Sequence, residues 1–279
     1  MRIALYQART GIDPIVNADG IVQKVAEAAS GGAKMLFTPE MSGLLDRDRK
    51  RAGPHLRTEA EDEVLRRVRD AALRNGIWVH LGSLALRADG DKLVNRGFVI
   101  DDQGEIRARY DKMHLFDVDL PTGESWRESE SYQGGERPVL VETPLGTLGL
   151  SICYDLRFAG LYASLSDHGA HLFSIPAAFT VPTGQAHWHV LLRARAIEAG
   201  AFVIAAAQVG RHEDNRETYG HSLVVDPWGK VLLDMGGDEV GLGFAELNLE
   251  SVDEIRSRLP ALRHRRPIPA PEHVRAGAA

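Results

Sequence analysis

Short apolar runs alternate along nearly the whole chain with longer segments of helical periodicity, and hairpin-like pairs interrupt the alternation. Arg2 to Tyr6, Lys34 to Thr38, Ile77 to Leu84, His171 to Ile175 and Phe202 to Ala207 read as strands, being short, apolar and bounded by turn residues. Asn17 to about Ser30, Glu59 to Arg74, Phe158 to His168, Gln185 to Ala199 and Ser251 to Leu259 read as helices. Asn17 can cap the first of these and Gly31-Gly32 stops it. Val64, Leu65, Val68, Ala72 and Leu73 share one side of the second. Hairpins are predicted around Asp102-Gln103-Gly104, across Thr143-Pro144-Leu145-Gly146 and around Asp226-Pro227-Trp228-Gly229, and Gly241 to Asn248 adds a strand. Mixed strands and single helices predict an α/β fold in which helices cover sheets. The hairpins argue against a purely parallel doubly wound sheet and against a (β/α)8 barrel.

The chain has 279 residues, enough to bury a sizeable core, with no internal repeat or low-complexity block. One domain is expected over residues 1–266, followed by a Pro-rich tail over 267–279. From Met113 to Arg137 a long loop is predicted, and a loop of that length inside a domain is usually functional. Lys plus Arg total 33 and Asp plus Glu total 39, a net charge of −6, which does not suit duplex nucleic acid or an anionic membrane surface. No apolar run approaches the roughly 18 residues that span a bilayer, and the first residues lack the apolar core of a secretory leader. The single cysteine, Cys153, allows no intramolecular disulfide and no paired-cysteine zinc site, so a cytoplasmic setting is expected.

Cys153 follows the apolar stretch Leu148-Gly149-Leu150-Ser151-Ile152 and precedes a predicted helix start. At such a corner free backbone N–H groups can bind an oxyanion and lower a thiol pKa. Position alone leaves two readings, a nucleophile or an inert buried thiol. Glu40, just past a strand in Phe37-Thr38-Pro39-Glu40-Met41, could serve as a base or lie on the surface. Lys112, in Tyr110-Asp111-Lys112-Met113-His114, could hold an oxyanion or be an ordinary surface lysine. Spacing does not bring the three together.

In this order, Pro39-Glu40, Lys112-Met113-His114-Leu115-Phe116-Asp117 and Cys153-Tyr154-Asp155-Leu156-Arg157-Phe158 resemble the nitrilase superfamily of carbon–nitrogen hydrolases, and the resemblance runs from Arg2 to about Arg266. It implies a four-layer α-β-β-α sandwich carrying a Cys–Glu–Lys triad. Cys153 would attack an amide carbonyl, Glu40 would shuttle the proton, and Lys112 with the Tyr154 N–H would hold the oxyanion. A second glutamate follows the lysine segment in the family; Glu128 in Trp126-Arg127-Glu128-Ser129 fits best, with Glu124 and Glu130 as register alternatives.

The run His187 to Glu198, Gln208-Val209-Gly210-Arg211-His212, Tyr219-Gly220-His221-Ser222 and His264-Arg265-Arg266-Pro267 are similar to the deaminated glutathione amidase and ω-amidase branch. That likeness implies hydrolysis of deaminated glutathione to 2-oxoglutarate and Cys-Gly, a metabolite-repair reaction needing no cofactor. Its small-molecule substrate carries an α-keto carboxylate, for which Arg157 would supply a cationic fork, with Tyr154, Phe179 and Thr183 shaping the pocket. The alternatives are an ω-amidase on 2-oxoglutaramate or 2-oxosuccinamate, and a catalytically idle member acting through protein contacts. Two-fold homodimers are the family default, and larger homo-oligomers are compatible with it.

Metal and nucleotide chemistry find little support. His212-Glu213 is not followed by the second histidine of HExxH, and His187 and His189 fall on different faces of a helix. Gly241-Leu242-Gly243 lacks the third glycine of a dinucleotide fingerprint, and no P-loop occurs. His221 is the conceivable partner for a papain-like Cys–His pair, a weaker account than the glutamate and lysine segments provide.

Overall fold

Two six-stranded sheets face one another. The computed structural model describes residues 1–88, 90–119, 123 and 125–274. The first half of the chain supplies β1 (Arg2–Gln7), β2 (Met35–Phe37), β3 (Trp78–Arg87), β4 (Leu93–Ile100) and β5 (Ile106–Asp111), and the short strands β6 (Asp117–Asp119) and β7 (Ser125–Arg127). The second half supplies β8 (Leu140–Thr143), β9 (Gly146–Leu150), β10 (Leu172–Ser174), β11 (Phe202–Ala205), β12 (Val209–Arg211), β13 (Glu217–Tyr219), β14 (Leu223–Val225), β15 (Val231–Asp234) and β16 (Gly241–Glu246). Strand order is β16-β1-β2-β3-β4-β5 in one sheet and β15-β14-β11-β10-β9-β8 in the other. In each, three central strands run parallel and antiparallel strands flank them.

Period-two alternation in the strands decides the layering. On β1, Ile3 and Leu5 join the core between the sheets, while Ala4 faces the other way. Met35 and Phe37 likewise point inward, and Leu36 outward. The outward residues are covered by α1 (Pro14–Ser30), through Ile21 and Val25, and by α3 (Glu63–Asn75), through Leu65 and Val68. A single turn, α2 (Arg49–Ala52), precedes α3. On the second sheet α4 (Ala159–Asp167) and α5 (Val181–Ala199) bury Leu161, Leu165, Trp188 and Leu192, and α6 (Glu250–Arg258) closes the chain. The result is the four-layer α-β-β-α sandwich.

Several boundaries differ from the sequence expectation, each for a local reason. Asp13, not Asn17, caps α1: its carboxylate accepts from the Ile15 N–H at 2.8 Å, and Pro14 occupies the first position, where no N–H is needed. Asn17 instead donates to the Gly11 and Gly43 carbonyls. Helix α3 starts at Glu63 because Asp62 caps Leu65, and Glu59 is free to pair with Arg96 and Arg109. Leu73 is exposed, and Ala71 takes its place on the buried side. Helix α5 starts four residues before the predicted Gln185, because Pro182 is tolerated in a first turn. Strand β4 begins at Leu93, five residues before the predicted Phe98. Among the described residues no helix is long and apolar enough to cross a membrane.

Candidate active site

Three strands end at one edge of the sandwich and deliver the three segments. Glu40 follows β2, Lys112 follows β5, and Cys153 follows β9. The Pro39-Glu40 turn is admitted by Gly82 on β3, where a Cβ would overlap the Thr38 and Pro39 carbonyl oxygens. The Glu40 carbonyl is pinned by the Gln208 amide at 2.9 Å, and Gln208 is held in turn by Thr10.

No long helix begins at Cys153. A 3-10 turn covers Cys153–Arg157, and α4 starts only at Ala159. Cys153 has φ +48, a left-handed conformation that a residue with a Cβ adopts only when its surroundings enforce it. The enforcement is visible: the Cys153 N–H donates to the Pro176 carbonyl at 2.9 Å, the preceding Ile152 N–H donates to the Asp155 carboxylate, and the Asp155 N–H donates back to the Ile152 carbonyl at 3.0 Å. The Tyr154 N–H has no partner among the described residues. Asp155 is fully buried and caps this turn through the Ile152 N–H at 2.9 Å.

The side chains of the three segments meet. Lys112 Nζ donates to Glu40 Oε1 at 2.9 Å and to Glu128 Oε2 at 2.9 Å, and both Glu40 and Lys112 are almost wholly buried. Glu40 Oε2 accepts the Ala178 N–H at 3.0 Å, and Glu128 Oε2 accepts the Phe116 N–H at 2.7 Å. Of the register alternatives, Glu130 pairs with Arg49 at 3.3 Å instead, and Glu124 lies outside the described residues. Asn95, absent from the sequence expectation, bridges both carboxylates: its Nδ2 is 2.9 Å from Glu40 Oε1 and 3.3 Å from Glu128 Oε1. The signal was available, since an asparagine inside an apolar strand run is unusual.

Burial and charge set the resting protonation of this cluster. Burial pushes the Cys153 thiol well above its ordinary value, and the Glu40 carboxylate beside it pushes further; Lys112 opposes both. Burial alone would raise Glu40, but the Lys112 ammonium and the hydrogen bonds from Lys112, Cys153 and Asn95 hold it below the usual carboxylate value. Burial would lower Lys112, yet Glu128, Glu40 and Cys153 raise it well above the lysine norm. A neutral thiol therefore sits beside an ionised base and a fixed cation.

These groups open onto a cavity of about 850 Å³, a volume that suits a small organic ligand. Tyr154, Phe179 and Thr183 line it with Glu40, Lys112, Glu128 and Cys153. Thr183 lies in the first turn of α5 and shares a hydrogen bond with Thr180 at 2.7 Å. Arg157 is not among the cavity-lining residues. It stands behind the Tyr154 and Phe179 rings, at 5.9 Å and 5.3 Å from their centroids, and bonds His187 at 3.2 Å. The cations that do line the cavity include Arg47 and Arg216, which flank Trp126. His221 is not on the cavity wall either; it bonds Asp234 at 2.8 Å and stacks on Tyr219, so it offers Cys153 no imidazole. Among the described residues, His189, His221 and Asp234 form a group with metal-ligand spacing, but each imidazole already has Asp234 as its partner.

The chain is similar to known proteins along nearly its whole length. Residues 2–257 match the family described as Carbon-nitrogen hydrolase. The chain is 40% identical over 267 residues to the deaminated glutathione amidase of Yersinia enterocolitica, covering 95% of this chain and 92% of that protein. The crystal structure of the C. elegans NitFhit protein superposes with a TM-score of 0.88 at 38% identity, over 95% of this chain and 65% of that one. An amidase from Nesterenkonia sp. AN1, whose structure shows acrylamide added to its active-site cysteine, superposes with a TM-score of 0.78 at 28% identity, over 93% of this chain and 98% of that one. With the family matched across nearly its whole length, this chain belongs to the carbon–nitrogen hydrolase family of the nitrilase superfamily, hydrolases of carbon–nitrogen bonds other than peptide bonds.

Proposed function

We propose that this chain is a thiol amidase that cleaves deaminated glutathione to 2-oxoglutarate and Cys-Gly through a thioester on Cys153. The observation that carries the chemistry is the Lys112 ammonium, fixed by two carboxylates in the wall of a cavity that Cys153, a neutral thiol, also lines. Glu40 takes the thiol proton as sulfur attacks the amide carbonyl. Lys112 and the Tyr154 N–H hold the oxyanion. Collapse breaks the C–N bond while protonated Glu40 returns its proton to the leaving amine. Glu40 then deprotonates a water, which attacks the thioester carbon; the C–S bond breaks and the thiol is restored. Glu128 keeps Lys112 in place rather than exchanging protons with substrate. No metal or cofactor enters this sequence.

The acyl half of the substrate carries an α-keto carboxylate and lies along Tyr154, Phe179 and Thr183. Arg157, bonded to His187 behind the Tyr154 and Phe179 rings, gives that wall a positive field rather than a direct pair with the carboxylate. The cavity has room for a tripeptide-sized amide. A cytoplasmic setting suits a nucleophile that must stay reduced. Exposed Val190, Ile197 and Trp228 offer an apolar face for a homodimer, which sedimentation velocity tests.

The deciding measurement is 2-oxoglutarate release from deaminated glutathione, with kcat/KM compared against 2-oxoglutaramate. Preference for the larger substrate, lost in Cys153→Ala, is the expected result. Equal or reversed preference would assign an ω-amidase, and full activity of Cys153→Ala would overturn the thioester.

A further inference from the structure

We infer that Arg216, with Arg47 and Trp126, forms a second anion subsite that binds the carboxylate on the leaving-amine side of the substrate. The inference deepens the deaminated glutathione reading and rests on it.

Two polar atoms carry the argument. Arg216 Nε and Trp126 Nε1 are both buried and both lack a hydrogen-bond partner among the described residues, and both side chains line the cavity that holds Cys153. Buried donors of this kind are costly unless a ligand uses them. Their placement makes an anion the matching ligand. The Arg216 guanidinium packs 4.8 Å from the Trp126 ring centroid, and that of Arg47 lies 5.4 Å from the same ring. One buried carboxylate, Asp214, serves both arginines, at 3.3 Å from Arg216 and 3.9 Å from Arg47. Asp46, on which Arg216 also acts, is taken by Arg51 at 2.7 Å, and Glu40 by Lys112, so two carboxylates, Asp214 and Asp46, face three guanidinium groups and the surplus is positive. Trp126 fixes the flat face of the fork, leaving in-plane N–H groups for a bidentate partner.

The side of the substrate follows from the neighbours. Glu40 must hand its proton to the leaving amine, so that half of the substrate lies toward Glu40. Arg47 belongs to the same segment after β2 as Glu40, and Asp214 ties that segment to Arg216 by accepting the Arg47 N–H at 2.9 Å while pairing with the Arg216 guanidinium at 3.3 Å. Arg157, by contrast, stands behind the Tyr154 and Phe179 rings. A substrate with a carboxylate on its leaving amine would set that group against Arg216. The class is an amide whose leaving amine is a carboxylate-bearing amino acid or dipeptide.

The test compares Arg216→Gln with the parent enzyme on deaminated glutathione and on 2-oxoglutaramate, whose leaving group is ammonia and carries no carboxylate. The ratio of the two kcat/KM values is expected to fall roughly 10- to 100-fold, the loss typical of a charge-assisted pair, chiefly through KM for the larger substrate. Arg47→Gln, on a more exposed side chain, should lower the same ratio less and guards against misfolding of the first variant. An equal loss on both substrates, or an unchanged ratio, would overturn the subsite. If the parent enzyme turns over neither amide, the substrate reading fails separately. Calorimetry of Cys153→Ala with Cys-Gly and with its C-terminal carboxamide then decides the subsite. Tighter binding of the free acid, abolished by adding Arg216→Gln, supports it, and equal binding overturns it.

Discussion

The Tyr110 hydroxyl donates to Asp155 Oδ2 at 2.8 Å, joining the end of β5 in one sheet to the Cys153 turn in the other. The same buried carboxylate accepts the Ile152 N–H at 2.9 Å and the His114 N–H at 3.0 Å, and faces His114 Nδ1 at 2.7 Å. His114 in turn stacks on Phe158, with ring centroids 3.6 Å apart. Lys112 lies between Tyr110 and His114 in sequence, so one carboxylate sets its position relative to Cys153. Tyr110→Phe removes one donor and should cost about 1–3 kcal/mol. The urea midpoint should fall accordingly and kcat with it, since the lysine and the thiol lose a common anchor. An unchanged midpoint would show that Asp155 is held without Tyr110.

Glu40 has opposite effects on the thiol's acidity and on its reactivity. Burial is the largest cause of the raised Cys153 value, but the charge and hydrogen bond of Glu40 raise it further, and Lys112 lowers it. Glu40→Gln should therefore abolish turnover while shifting the thiol titration to lower pH. Ultraviolet absorbance of the thiolate, followed against pH in both proteins, checks this. A thiol titrating at the same or higher pH in the variant would contradict the geometry.

What was legible in the sequence was segment chemistry rather than side-chain convergence. Strand ends marked Glu40, Lys112 and Cys153 only as candidates, and it was the ordered resemblance of their three segments to the nitrilase superfamily that joined them. Asn95 is not legible because the apolar pattern predicts this strand only from Phe98, which leaves the asparagine outside any element, whereas β4 begins at Leu93. The family resemblance points to Arg157 as the carboxylate's partner, yet the 3-10 turn carries it behind two aromatic rings. Arg216 reaches the cavity from a β12–β13 hairpin more than 60 residues away from Cys153 in sequence, a closeness that only tertiary packing creates. The alternation of strands gave the layers, while cap positions shifted because Asp13 and Asp62 bond first-turn N–H groups in ways periodicity does not encode.

Asn95 is a positioning residue with a distinctive readout. Its amide bridges Glu40 and Glu128, and its bond to Glu40 helps hold that carboxylate below the usual value. Asn95→Ala should lower kcat by roughly 100-fold, the penalty for a misplaced reacting group. Because a lowering influence on Glu40 is lost, the acid limb of the kcat/KM profile should move to higher pH. A loss of kcat with an unmoved acid limb would reduce Asn95 to a packing role.

The buried pair should also govern stability at both ends of the pH scale. Glu40 is held below its unfolded value of about 4.5, so its contribution is present above that pH and is lost as pH falls through the folded value. Lys112 is raised above its unfolded value of about 10.5, so its contribution is present below that pH and disappears as pH rises through the folded value. Between these limits the pair contributes a constant amount. Other carboxylates titrate in the same acid range, so the diagnostic quantity is the difference between the parent protein and Glu40→Gln. That difference in unfolding free energy, measured in urea from pH 3 to pH 7, should shrink as the pH drops below roughly 4.5. A constant difference would mean that Glu40 titrates alike in the folded and unfolded chain, and a difference that grows as the pH drops would mean that Glu40 is protonated in the folded protein; the second result would remove the ionised base on which the proposed thiol activation depends.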